Sequence, residues 1–99
     1  VCANDDIAKD VYQIFRRSNI KIPQDIAVTG FDNSEAAELL EPALTTVAVH
    51  NHTMGTRLAE ALYSRFKNPD RPFEMINISS DVMLRASSEK YMDTQKLGY

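Results

Sequence analysis

The chain opens on three apolar residues, Val1-Cys2-Ala3, and turns polar at Asn4-Asp5. Asn and Asp favour helix starts, because a side-chain oxygen can accept from a free N–H of the first turn. Ile7, Ala8, Val11, Ile14 and Phe15 then recur at helical spacing, which predicts a helix over residues 5–18. Asn19 suits its end, since asparagine tolerates a left-handed backbone better than most residues. Residues 26–31 are short, apolar and partly β-branched, with Pro23 before them and Asp32-Asn33 after, and they read as a buried strand. Strand, helix and strand over about 30 residues form a βαβ unit with parallel strands and a right-handed crossover. The chain thus opens in the middle of an α/β pattern.

Residues 34–40 predict a short helix with Ser34 as N-cap and Glu35 in the favourable first turn, stopped by Pro42. Residues 44–49 are a third strand candidate. A second long helix is expected over 51–66, with Met54, Leu58, Ala61, Leu62 and Phe66 on one side. Residues 68–72, rich in Pro and Asp, form a turn. Phe73 to Ile78 and Val82 to Leu84 read as two short strands, and the polar tail from Glu89 as poorly ordered. The fold class is α/β.

Composition narrows the function. The 99 residues are 43% hydrophobic and 25% charged, an ordinary globular balance. Eleven Lys+Arg against fourteen Asp+Glu give a net charge of −3, which argues against a phosphate-binding surface within this chain. No apolar run approaches the roughly 18 residues of a membrane span. The start has no positive region followed by an apolar stretch, so no signal peptide is expected. A single cysteine, Cys2, excludes an internal disulfide and fits a reducing cytoplasm. The expectation is a soluble, cytoplasmic protein.

In an open parallel sheet, ligands bind beyond the carboxyl ends of the strands. Asn4-Asp5 follows the first predicted strand and Asp32 the second, so βαβ geometry sets them at one edge. A carboxylate accepting from neighbouring hydroxyls, beside an amide that donates and accepts, suits a sugar or similar polyol. A plain structural reading stands beside it: Asn4 caps the helix, Asp5 complements its dipole, and Asp32 starts a turn. Other chemistry is thin. His50 and His52 have no further ligand at metal spacing, and Cys2 reads as a small buried hydrophobe. No Ser-His-Asp set or phosphate-cradling glycine loop occurs, and Gly30, Gly55 and Gly98 are scattered. Neither a metal nor a cofactor is expected. Two glycosylation sequons, Asn51-His52-Thr53 and Asn77-Ile78-Ser79, go unused in a chain that is not exported.

Several motifs in register resemble the lactose/galactose repressor (LacI/GalR) family. They are Asn4-Asp5 with Ala8; the run Ile22-Pro23-Gln24-Asp25-Ile26 through Gly30-Phe31-Asp32-Asn33; Pro42-Ala43-Leu44-Thr45-Thr46-Val47; Met54-Gly55; and Leu84-Arg85-Ala86-Ser87-Ser88. The resemblance implies the C-terminal fragment of an effector-binding domain with the periplasmic-binding-protein type I fold. Such a domain has two Rossmann-like lobes, each a parallel sheet with flanking helices, around a small ligand. Residues 1–48 would belong to the C-terminal lobe, 49–80 to the other lobe, and 81–88 to a return strand, with 89–99 as tail.

By the same resemblance Asp32 and Asn4 are ligand-binding, and Asp5, Val49 and His50 are further expected ligand-binding residues. Val49 departs from the pattern, because sugar-binding relatives often carry Gln there; His50 or Asn51 could compensate. Helix 5–18, which contains Lys9, and segment 34–40, with Leu39 and Leu40, match parts of the family's dimer interface. The implied protein is a homodimeric transcriptional regulator and not an enzyme. It binds a small-molecule effector of carbohydrate type, and it binds operator DNA through a helix-turn-helix upstream of this chain. The alternatives are an exported sugar-binding protein of a transport system and an α/β enzyme with its site at the same edge.

Overall fold

The computed structural model describes residues 1–89. Beyond Glu89, the expected tail lies outside them. The chain divides into two compact units, one formed by Val1–Ala48 with the segment that begins at Asp81, the other by Val49–Ser80.

In the first unit, helix α1 (Asp5–Arg17) forms where the sequence predicts it. Asn4 caps it, its Oδ1 accepting from the Ile7 N–H at 2.9 Å. Asp5 and Asp6 stand in the first turn and Arg16 and Arg17 in the last, charges that the helix dipole favours at those ends. Asn19 takes φ 57, and Ile20 N bonds Phe15 O (2.9 Å) while Asn19 N bonds Arg16 O (3.3 Å). That pair of bonds is a Schellman stop, as the asparagine predicts.

The buried face of α1 differs from expectation. Asp5, Ala8 and Tyr12 point inward, with Val11 and Phe15 flanking, whereas Ile7 and Ile14 stay about half exposed. Positions 7 and 14 lie two turns apart on one face, and the core lies on another. That core is Ala8, Tyr12, Val28, Ala37 and Leu44, with Cys2, Ile22 and Leu40 packed against it.

The expected strands are only partly regular. Segments 1–5 and 28–32 run in the same direction, joined by Cys2 N→Thr29 O (2.8 Å) and Asp5 N→Phe31 O (3.1 Å). Segment 28–32 meets 45–48 through isolated parallel bridges, Thr29 with Thr45 and Asp32 with Ala48. The parallel direction is as predicted, but the bonds are too sparse for continuous strands. Regular pairing occurs between β1 (Thr46–Ala48) and β2 (Asp81–Met83), which are antiparallel with Val47 opposite Val82. Helix α2 (Glu35–Leu39) precedes β1, and a 3-10 turn at Ala86–Ser88 follows β2. Ser34 does not cap α2 with its side chain; its Oγ is buried without a hydrogen-bond partner.

Side chains replace the missing ladder. Asp5 is 1% exposed, and its carboxylate accepts from Thr46 Oγ1 and from Ser34 N, each at 2.7 Å. One carboxylate thereby joins α1, β1 and the start of α2. Gly30 makes room for it: a Cβ there would collide with Asp5 Oδ1 and lie 2.9 Å from Leu44 Cδ2. A second cluster closes the other end. Thr45 N donates to Ser87 Oγ (2.8 Å), Ser87 Oγ to Val28 O (2.6 Å), and Ser87 N to Ala43 O (2.9 Å).

The second unit holds helix α3 (Asn51–Lys67), matching the predicted 51–66, and a segment without regular structure after it. Residues 73–78, expected as a strand, form none. A strand needs a neighbour to satisfy its N–H and C=O groups, and the described residues of this unit supply only a helix. No residue of α3 is buried, and Leu58, Leu62 and Phe66 are largely exposed.

Two predictions follow from the buried clusters. Asp5→Ala leaves the Thr46 hydroxyl and the Ser34 N–H without an acceptor, at a cost of about 2–4 kcal/mol. Gly30→Ala forces the same carboxylate aside and costs about 1–3 kcal/mol. Urea unfolding midpoints of the two variants measure both losses. Tyr12 gives a pH dependence, because burial pushes its phenol above the ordinary value of 10.0 while its hydroxyl donates to Pro42 O at 2.8 Å. The unfolded chain then ionises first, so stability is level below about pH 10 and falls as pH rises toward the folded value. Unfolding midpoints from pH 8 upward should show this fall in the wild type, and Tyr12→Phe should flatten it.

Candidate ligand-binding site

Three segments end together at one edge of the first unit. Asp5 N bonds Phe31 O, and Asp32 N bonds Val47 O at 2.9 Å, so the residues following segments 1–3 and 28–31 are held side by side, beside the end of β1. Asn4 and Asp32, singled out from sequence, are both there. Asn4 is half-buried; its Oδ1 serves the helix cap, and its amide nitrogen makes no hydrogen bond among the described residues. The capping reading of Asn4 therefore holds, and a donor remains available.

Asp32 is the exposed acid of the edge. Its carboxylate has no partner among the described residues. Its backbone has φ 109 and the following Asn33 has φ 54. Asparagine accepts the left-handed region readily, but φ 109 in an aspartate lies outside the favoured wells and carries strain of roughly 1–3 kcal/mol. An unpaired carboxylate on a strained turn, beside an amide donor, can accept from adjacent hydroxyls while the amide donates to a neighbouring oxygen.

Asp5 belongs to the framework instead. Both its oxygens accept from the protein's own groups, and it is sealed from solvent, so it departs from the expected ligand contact. Val49 and His50 lie in the other unit, where the chain enters α3. Val49 O accepts from Asn51 N at 2.9 Å, and exposed His50 flanks the helix without a side-chain cap bond. No group of three metal-binding side chains exists among the described residues.

The expected interface residues separate. Leu39 is 81% exposed and Lys9 is exposed, whereas Leu40 packs against the core. Sequence reasoning missed Asn33 and Arg85. Arg85 Nη2 donates to Asn33 Oδ1 at 2.8 Å and Nη1 to Leu44 O at 3.0 Å, with Glu38 Oε1 3.6 Å from Nη2. The available signal was the Asp-Asn pair itself, a combination suited to left-handed turns.

The chain matches known proteins throughout this region. A family profile described as periplasmic binding protein-like domain matches residues 1–88. The ribose operon repressor of Haemophilus influenzae is 33% identical over 86 residues, which is 87% of this chain and 26% of that protein. Among solved structures, the transcriptional regulator CelR in complex with cellobiose is 29% identical with TM-score 0.81, over 86% of this chain and 26% of that one. A LacI family regulator from Enterococcus faecalis with bound ribose is 30% identical with TM-score 0.79, over 86% and 32%. This chain thus spans about a quarter of the length of the curated relative. The sequence motifs, the βα edge and the match over residues 1–88 agree: the chain belongs to the periplasmic binding protein-like domain family, in the branch carried by LacI-type transcriptional regulators.

Proposed function

We propose that this chain is part of the effector-binding domain of a LacI-type regulator, and that Asp32 and Asn4 hold the hydroxyls of a small carbohydrate. The observation that carries this reading is the exposed Asp32 carboxylate, on its strained turn and without a partner among the described residues. Relatives solved with cellobiose and with ribose support a carbohydrate as the class of ligand. That the relatives are named as regulators favours this reading over a transport protein or an enzyme. No helix among the described residues is long and apolar enough to cross a membrane. Operator DNA would be bound by another part of the polypeptide, since this chain is acidic.

A sugar at Asp32 acts by binding one arrangement of the domain more tightly than another, and it shifts their balance only by that difference in affinity. The same reading makes α1, through its exposed Lys9, and the exposed Leu39 parts of a dimer surface.

Full-length protein should be melted with D-ribose and cellobiose, and the stabilising sugar titrated by calorimetry. A sugar at a hundredfold excess over its Kd stabilises the wild type by about 2.7 kcal/mol. Asp32→Asn should weaken binding roughly 10- to 100-fold, the worth of a charge-assisted hydrogen bond or two. Asp32→Gly should lose binding while raising stability by up to about 1 kcal/mol, because glycine relieves φ 109. Wild-type affinity in both variants would remove Asp32 from the site. For the dimer surface, Leu39→Glu should shift sedimentation equilibrium toward monomer, and an unchanged association constant would reject it.

A further inference from the structure

The turn that presents Asp32 is gripped from a distant part of the chain. Arg85 Nη1 bonds the Leu44 carbonyl, and Nη2 reaches Asn33 Oδ1 across 52 positions of sequence. The Arg85 side chain is only 13% exposed. Its backbone is fixed as well: Arg85 N donates to Thr45 Oγ1 at 2.8 Å, and Thr45 Oγ1 donates to Arg85 O at 3.0 Å. A planar guanidinium anchored at its root and at one tip offers its other tip in a single direction. Asn33 sits at that point, and its own N–H donates to Thr46 Oγ1 at 3.3 Å. Both ends of Asn33 are therefore held, next to an aspartate whose side chain has no partner among the described residues.

We infer that Asn33 is a positioning residue: clamped by Arg85, it keeps the Asp32 turn in its left-handed form and the carboxylate aimed outward before any sugar arrives. This rests on the reading of Asp32 as the ligand carboxylate. The competing account makes Asn33 an ordinary turn residue, present because asparagine tolerates φ 54. Two substitutions separate them. Asn33→Gly adopts the left-handed backbone at no steric cost but gives Arg85 nothing to hold. Asn33→Asp tolerates the same backbone and offers Arg85 an oxygen in the same place.

Amide hydrogen exchange of the full-length protein, followed by NMR without sugar, reads the turn directly. The probe is the Asp32 N–H, bonded to Val47 O; the control is the Gly30 N–H, bonded to Thr45 O at 2.9 Å in the same segment. Asn33→Gly should speed exchange at Asp32 about tenfold and leave Gly30 unchanged, while Asn33→Asp stays at the wild-type rate. General destabilisation would move both amides together. Titration with D-ribose and cellobiose gives the second readout. A turn correctly formed about a tenth of the time raises the apparent Kd about tenfold in Asn33→Gly, and Asn33→Asp restores it.

Wild-type exchange at Asp32 in Asn33→Gly would overturn the inference, as would an equal loss of affinity in both variants. A failure of the ligand reading looks different. There Asp32→Asn binds sugar as the wild type does, while the exchange rates still report whether Arg85 holds the turn.

Discussion

Two hydrogen bonds of 2.7 Å converge on the Asp5 carboxylate, and the arrangement of the first unit depends on them. A carboxylate out of contact with water is tolerable only when its oxygens are satisfied. Asp5 meets that condition by drawing the Thr46 hydroxyl and the Ser34 N–H to the first turn of α1. Those partners are 41 and 29 positions away in sequence, so the contact fixes where β1 and the start of α2 sit relative to the helix. Gly30 is part of the same constraint, because any side chain there would occupy the space of Asp5 Oδ1. Asp32 follows Gly30 by two residues. The placement of the candidate ligand acid is thus a consequence of where the framework acid lies.

The second anchor explains why the chain carries Thr45 beside Thr46 and Arg85 beside Ser87 and Ser88. Consecutive residues of a strand point to opposite faces, so Thr46 can serve Asp5 while Thr45 serves the returning segment. Thr45 and Ser87 exchange bonds with backbone groups at Arg85 and Val28, and Thr45 Oγ1 lies 2.6 Å from Ser88 Oγ. These bonds satisfy polar groups that a continuous ladder would otherwise pair. A short, interrupted set of segments can hold together in this way, with hydroxyls standing in for strand neighbours.

How much of this could be read in the sequence depends on the range of the interaction. Local rules placed α1, its Asn4 cap and its Asn19 stop, and they placed α3, because each is decided within a few residues. Periodicity overreached at Ile7 and Ile14, since it records an apolar face without saying what covers it. Residues 73–78 have the composition of a strand but no described neighbour to pair with, and pairing is not written in a single segment. Asp5 was legible as an acid at a helix start; its burial was not, because that depends on Thr46 and Ser34. The Arg85 contact to Asn33 was the least legible of all. Leu84-Arg85 resembles any strand end, and only the folded chain brings it to the turn.

The two acids that bracket this edge show how structure and function divide between like residues. Asp5 and Asp32 carry the same group at neighbouring strand ends, so the difference between them lies in their surroundings. Asp5 sits on a helix in a relaxed backbone, with every acceptor satisfied from inside. Asp32 sits on a strained turn with its acceptors facing solvent. Strain of that kind persists only where neighbouring contacts outweigh it, and here they come from Val47 O, Thr46 Oγ1 and the Arg85 guanidinium. The exposed acid is therefore held indirectly, through backbone and a neighbouring amide, which leaves its own oxygens without a partner among the described residues. A carboxylate locked by direct bonds would be equally rigid but would have no acceptor left for a ligand, and that is the condition Asp5 is in.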